Sequence, residues 1–264
     1  MGPLRYRSTT GLNRDQIEDL VAHIYHGQKA EEQCGPRGGR KPALGLYRSV
    51  VLTLVHLRSN LSQATLADLY GVSQSTVSRI VRRYSPLIGK VLGGCVPPLS
   101  EVTRGRVVVV DGTLVPTGNR AGQTGLYAGK KRRHGANIQI LSDLAGALLA
   151  VSAPLPGSVH DRRAIAASGW EPSLASAPTL GDLAYQGTFV VTPSRKPPRR
   201  QLSRGSEVTN RHHAQLRAPV ERAIAHLKNW KILATGYRGR LAELSDIIHT
   251  ITALEFYRCG WKPL

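Results

Sequence analysis

The chain has 264 residues, enough for one large domain or two modest ones around a real hydrophobic core. Lysine and arginine number 36 against 17 acids, a formal net charge of +19, which argues against a small neutral substrate and for a polyanionic partner. No apolar run reaches the roughly 18 to 20 residues of a membrane span, no apolar stretch follows the basic start MGPLRYRSTT, and Cys34, Cys95 and Cys259 are too scattered for a metal knuckle, so the expected compartment is a reducing cytoplasm.

Leu12, Ile17, Leu20, Val21 and Ile24 recur at helical spacing and predict a short amphipathic helix over residues 11–28, with Thr10 or Asn13 as its cap. Residues 35–42, GPRGGRKP, combine breakers with charges and read either as a solvated linker or as a loop lying along phosphate. A second helical stripe follows in Leu44, Tyr47, Val51, Leu54 and Val55.

Residues 61–85 resemble a helix-turn-helix. Ala67 is small where two helices cross, Gly71 supplies the positive φ of the turn, Ser73 caps the second helix, and Val77 and Ile80 dock it. The opposite face carries Gln74, Ser75, Ser78, Arg79 and Arg82, side chains suited to base edges and phosphates in a major groove. A helical hairpin in a core shares the apolar positions but has no use for the basic face.

Residues 86–104, with Pro97 and Pro98, read as a linker or a short connecting helix, which predicts two domains, 1–100 and 101–264. Beyond the boundary the texture becomes mixed. Arg106 to Thr113 reads as a buried strand delivering Asp111 to its C-terminal edge, and Asn137 to Leu141 and Leu148 to Ala153 read as two more strands joined by a turn at 142–146. His160-Asp161 opens a helix, Thr179-Leu180 runs up to Asp182, residues 195–210 form an exposed arm, 211–230 form a helix containing Glu221, and an amphipathic helix from Leu241 to Leu254 closes the pattern.

Asp111, Asp182 and Glu221 are conspicuous acids in a basic chain. Phosphodiester cleavage uses carboxylates on rigid elements to hold divalent metal, although an aspartate after a strand also serves as a turn or helix cap. Asp161 reads as a helix cap, an acid supporting other acids, or a fourth ligand. Lys130, Lys131, Arg132 and Arg133, and the cluster Arg195, Lys196, Arg199, Arg200 and Arg204, are the densest basic runs and suit sequence-neutral backbone contact with DNA or a solubilising face. Trp230 reads as core, with stacking on an unpaired base as the other use.

Four blocks in order, VVVVDGT (107–113), GSVHDR (157–162), GDLAY (181–185) and VERAIAHL (220–227) followed by Lys228, resemble those of the DDE insertion-sequence transposases, nearest to insertion-sequence family five and the Harbinger-type nucleases. The resemblance spans about residues 44–257. It implies an α/β, ribonuclease-H-like catalytic domain behind an all-α helix-turn-helix domain, with Asp111, Asp182 and Glu221 as catalytic triad and ligands of two Mg²⁺ ions, Mn²⁺ substituting. The family's pattern of tyrosine, two residues, arginine, three residues, glutamate, six residues, lysine is met by Arg217, Glu221 and Lys228; Ala214 stands at the tyrosine position. On one helix those three would share a face and set Arg217 and Lys228 on DNA phosphates, but Pro219 either starts that helix or kinks it. The implied activity is cleavage at terminal inverted repeats and joining to target DNA by a homodimer on the bacterial nucleoid, with no membrane partner and no small-molecule cofactor. A domesticated or inactive nuclease, or a regulator using the helix-turn-helix alone, are the alternatives.

Overall fold

The structure is a computed structural model that describes residues 6–32, 42–120 and 122–260; the expected loop at 35–42 falls, except for Pro42, outside the described residues. In chain order the elements are α1 (Tyr6–Thr10), α2 (Arg14–Glu32), α3 (Leu46–Ser59), α4 (Gln63–Tyr70), α5 (Gln74–Val91), α6 (Leu99–Thr103), β1 (Val108–Pro116), β2 (Tyr127–Ala128), β3 (Arg133–Asp143), β4 (Leu148–Val151), β5 (Leu155–Pro156), α7 (Asp161–Ala167), α8 (Glu171–Leu174), β6 (Thr179–Leu180), α9 (Arg204–Arg217), α10 (Val220–Lys228) and α11 (Leu244–Arg258). Contacts divide the chain into two units. One takes the described residues up to Val96 together with Lys228–Thr235 and the chain from Ala242; the other takes Pro97–Leu227 and Gly236–Leu241.

The first unit is helical. Leu44, Leu52, Leu66, Ala67, Val77 and Val81 form one buried cluster that docks α4 and α5 on α3. The turn between α4 and α5 has the expected chemistry, Gly71 with φ 66° and Ser73 Oγ accepting the Thr76 N–H, and Ser62 Oγ caps the start of α4 by accepting the Thr65 N–H. Pro86 removes one N–H from the interior of α5, yet the helix continues to Val91; the expected linker therefore starts later than residue 86. α11 packs against α5. Trp230 is fully buried in this unit, its Nε1 donating to Glu255 Oε2 at 3.0 Å with the Arg58 guanidinium 5.4 Å above its ring. It is a core residue. Residues 228–235 and 242 onward, grouped by sequence order with 101–264, thus lie among the first unit's helices.

The second unit is built on a mixed sheet of order β2-β3-β1-β6. β3 pairs antiparallel with β1 along one edge and with β2, β5 and β4 in turn along the other, so the sheet curls around it. The expected meander is present, with Asp143 Oδ1 accepting the Ala145 and Ala147 N–H groups in the turn before β4. β1 and β6 are parallel, Val108 opposite Thr179 and Val109 opposite Leu180. This helical helix-turn-helix region followed by an α/β unit with a curled sheet is consistent with the ribonuclease-H-like fold.

Two expectations need correcting. β1 runs on through Leu114 and Val115, both buried, so Asp111 stands in mid-strand and not at its C-terminal edge. The expected helix at 211–230 is two helices: α9 starts at Arg204, inside the expected arm, and ends at Arg217, and the chain restarts as α10 after Pro219, whose ring cannot continue a helix.

Candidate active site

The parallel register of β1 and β6 offsets partners by 71 residues, Val108 to Thr179 and Val109 to Leu180, and the same offset separates Asp111 from Asp182. The pairing ends at Leu180, and Asp182 follows two residues on, near enough for its charge to act on Asp111. Asp182 itself has extended backbone, and its Oδ1 accepts the Ala184 N–H at 2.9 Å, capping a short turn at Leu183–Tyr185. Asp111 Oδ1 accepts the N–H of Gly112 at 2.9 Å. Burial pushes the Asp111 carboxyl above its ordinary pKa, Asp182 and Asp161 push the same way, and Arg217 and the Gly112 N–H pull it back.

Alternation along β1 places Val109 and Asp111 on one face of the sheet. Val220 packs on Val109 and Leu180, so the start of α10 is seated on that face. Glu221 is the next residue, exposed in the first turn of α10. Arg217, at the end of α9, is half-buried, its charge reaches Asp111, and its Nε is buried without a hydrogen-bond partner. The structure therefore brings Asp111, Asp182 and Arg217 together and leaves the Glu221 carboxylate in solvent. Among the described residues no three acids, histidines or cysteines stand close enough to cage one ion. The converging oxygens of Asp111 and Asp182, whose mutual repulsion a cation would relieve, nonetheless suit a hard divalent metal. Because α9 ends before α10 begins, Arg217, Glu221 and Lys228 do not lie on one helix; Lys228 is the last residue of α10 and counts with the first unit.

The other face of β1 holds groups whose role the sequence reading missed. Gln139 pairs with Gly112 across the β1–β3 ladder and is fully buried. Its Oε1 accepts the Tyr185 hydroxyl at 2.5 Å, and its Nε2 donates to Asn137 Oδ1 at 3.2 Å and Asp161 Oδ1 at 3.4 Å. Asn137 Nδ2 also donates to Asp161 Oδ1, at 3.0 Å. A Cβ on Gly112 would lie 2.2 Å from that same oxygen. Asp161 is thus the first residue of α7, its carboxylate held over Gly112 and across the strand from the Asp111 side chain. The period-two pattern of Asn137-Ile138-Gln139-Ile140 was the available signal.

On α5, Gln74, Ser75, Arg79 and Arg82 are exposed and Ser78 is half-buried. Gln74 Nε2 donates to Gln63 Oε1 at 2.7 Å, Arg79 donates to the Ser75 carbonyl at 3.2 Å, and Arg82 pairs with Glu243 at 3.3 Å. Lys130, Lys131, Arg132 and Arg133 are all exposed where a short turn enters β3, Arg132 with φ 50°.

Residues 110–255 match the sequence family described as DDE superfamily endonuclease, and residues 42–94 match the helix-turn-helix of DDE superfamily endonuclease. The chain is 34% identical over 226 residues to a putative transposase for insertion sequence element IS112 from Streptomyces albus G, covering 85% of this chain and 83% of that one. It is 24% identical over 246 residues to a probable transposase for insertion sequence element IS702 from Microchaete diplosiphon, covering 89% and 87% respectively.

Proposed function

Since the chain belongs to the DDE superfamily of endonucleases, we propose that it is a transposase that binds the terminal inverted repeats of its element, cleaves the DNA there and joins the freed ends to target DNA as a homodimer. The observation that supports this reading is the parallel β1–β6 pairing, just past which Asp182 lies near enough for its charge to act on Asp111, with the start of α10, which bears Glu221, seated on the same face. The two units divide the work: the first reads DNA through α5, and the second cuts it.

Within the first unit, Gln74, Ser75, Ser78 and Arg79 face base edges in a major groove, and Arg82, held by Glu243, contacts the backbone at the groove's rim. Lys130, Lys131, Arg132 and Arg133 neutralise phosphates without regard to sequence. In the second unit Asp111 and Asp182 present oxygens for two Mg²⁺ ions, with Mn²⁺ as substitute, and Glu221 completes the set when its exposed side chain turns inward. The metal supplies activation of the attacking water or 3′-hydroxyl and neutralises charge on the leaving oxygen. The half-buried Arg217 places a positive charge near Asp111, where it orients the scissile phosphate, and Lys228 adds a further backbone contact.

The test is cleavage of a labelled duplex carrying the element's terminal repeat in Mg²⁺, Mn²⁺ or EDTA, comparing the wild type with Asp111→Asn and Glu221→Gln. Metal-dependent cuts at the repeat end that vanish in both variants while binding persists support the reading. Binding without cutting in any metal returns the chain to an inactive nuclease or a regulator.

A further inference from the structure

The buried hydrogen bond between Tyr185 and Gln139 crosses the sheet. Tyr185 closes the short turn that Asp182 caps, on the β6 side, whereas Gln139 belongs to β3, and β1 lies between them. The crossing is at Gly112, the residue after Asp111 and the register partner of Gln139. There the missing side chain leaves room for the Asp161 carboxylate and the Gln139 amide, 2.2 Å and 3.2 Å from where a Cβ would sit. Gly112 does not need to be glycine for its backbone, since its φ is not positive; the close approach alone demands it.

We propose that Tyr185, Gln139 and Asp161 form a strut beneath β1 that fixes the spacing of Asp182 from Asp111, so that all three are positioning residues for the divalent-metal site. The proposal rests on the reading of Asp111 and Asp182 as metal-holding carboxylates. Asp161 serves through one oxygen, Oδ1, which takes the amide donors of both Asn137 and Gln139, and its location across the strand from Asp111 makes it a support and not a fourth ligand. Tyr185 and Gln139 are both fully buried, so the strut has no solvent to replace a lost partner.

Mg²⁺ demands near-ideal geometry and Mn²⁺ is the more forgiving probe, so a spacing device should be read in the difference between them. The experiment measures Mn²⁺ binding to the full chain by electron paramagnetic resonance and Mg²⁺ binding by competition, with melting temperature recorded alongside. Tyr185→Phe, which strands the Gln139 oxygen, and Gly112→Ala, which displaces Asp161, should weaken Mg²⁺ binding by about tenfold or more and Mn²⁺ binding by about threefold or less. Asp161→Asn keeps an acceptor oxygen and should stay within about twofold of wild type for both ions. The strut is overturned if Tyr185→Phe and Gly112→Ala bind both ions like wild type, if both ions weaken equally, or if Asp161→Asn loses as much as Asp111→Asn. Asp111→Asn separates the two readings: should it too leave binding unchanged, the metal site itself fails, whereas loss in Asp111→Asn alone removes only the strut.

Discussion

Val220 rests on Val109, two residues before Asp111 on the same face of β1, and so joins the helix that carries Glu221 to the strand that carries the first aspartate. The contact is apolar and fully formed, with Val109 at 0% and Val220 at 2% exposure. Truncation to Val220→Ala gives up about 2 kcal/mol of burial, which lowers the melting temperature by roughly 4–8 °C in a chain of this size. Cleavage should fall further than stability explains, while binding to the terminal repeat by the other unit is unchanged. A gel-shift and a cleavage assay on the same preparation check both.

Asp111→Asn should stabilise the protein in EDTA. Burial and the neighbouring acids raise the folded-state pKa of Asp111 above its unfolded value. Between those two values the folded state holds the extra proton, so stability falls as pH rises through the window and the cost is fully present above the folded pKa. The asparagine variant escapes this cost. Its melting temperature at pH 7 should exceed the wild type's, and the gap should close as pH falls below the unfolded pKa. Thermal melts from pH 3 to 8 measure it.

Glu255 is 2% exposed and is served by Trp230 Nε1 and by the Arg258 guanidinium, itself 30% exposed. Arg258→Ala takes the guanidinium away from this buried carboxylate, at a cost of about 3 kcal/mol. Urea titration should show a lower midpoint with an unchanged slope. The replacement Arg258→Lys should recover part of it, because the lysine restores the charge but not the planar pair of donors.

The two basic surfaces should behave differently towards DNA. Arg79→Ala should reduce affinity for the terminal repeat relative to a random duplex by about 1–3 kcal/mol. Lys130→Ala combined with Lys131→Ala should weaken both duplexes equally and flatten the salt dependence by about 0.9 for each phosphate no longer neutralised. Titrations at several salt concentrations with both duplexes distinguish the two, and equal losses for Arg79→Ala would remove it from sequence reading.

The helix-turn-helix was legible because each of its constraints is local: Ser73 caps, Gly71 turns, and Ala67 and Val77 pack within a few residues. Asp111 was legible as a strand-borne acid for the same reason, although the apolar run of β1 hid its continuation behind the polar Gly112-Thr113 pair, and Asp182 caps a turn just past its strand. What failed was what depends on distant partners. Gln139 lies in a run that reads only as a strand, and its role follows from the distant Tyr185 and Asp161 brought over it. Pro219 announced a break, but whether Arg217 would still reach the aspartates depended on where α9 ends. The membership of Trp230 and α11 in the first unit has no sequence signal at all, since burial against α5 is decided by tertiary contact.

That last feature bears on how the protein is made. The first unit needs Trp230 and α11, which emerge from the ribosome about 140 to 170 residues after α5, a delay of roughly 10–30 s at ordinary rates of synthesis. During that time the helix-turn-helix lacks part of its own core, and a chain broken anywhere before α11 never completes it. A truncated product is therefore not a stable folded unit, and an expression fragment cut at residue 100 should be a poor substitute for the whole chain.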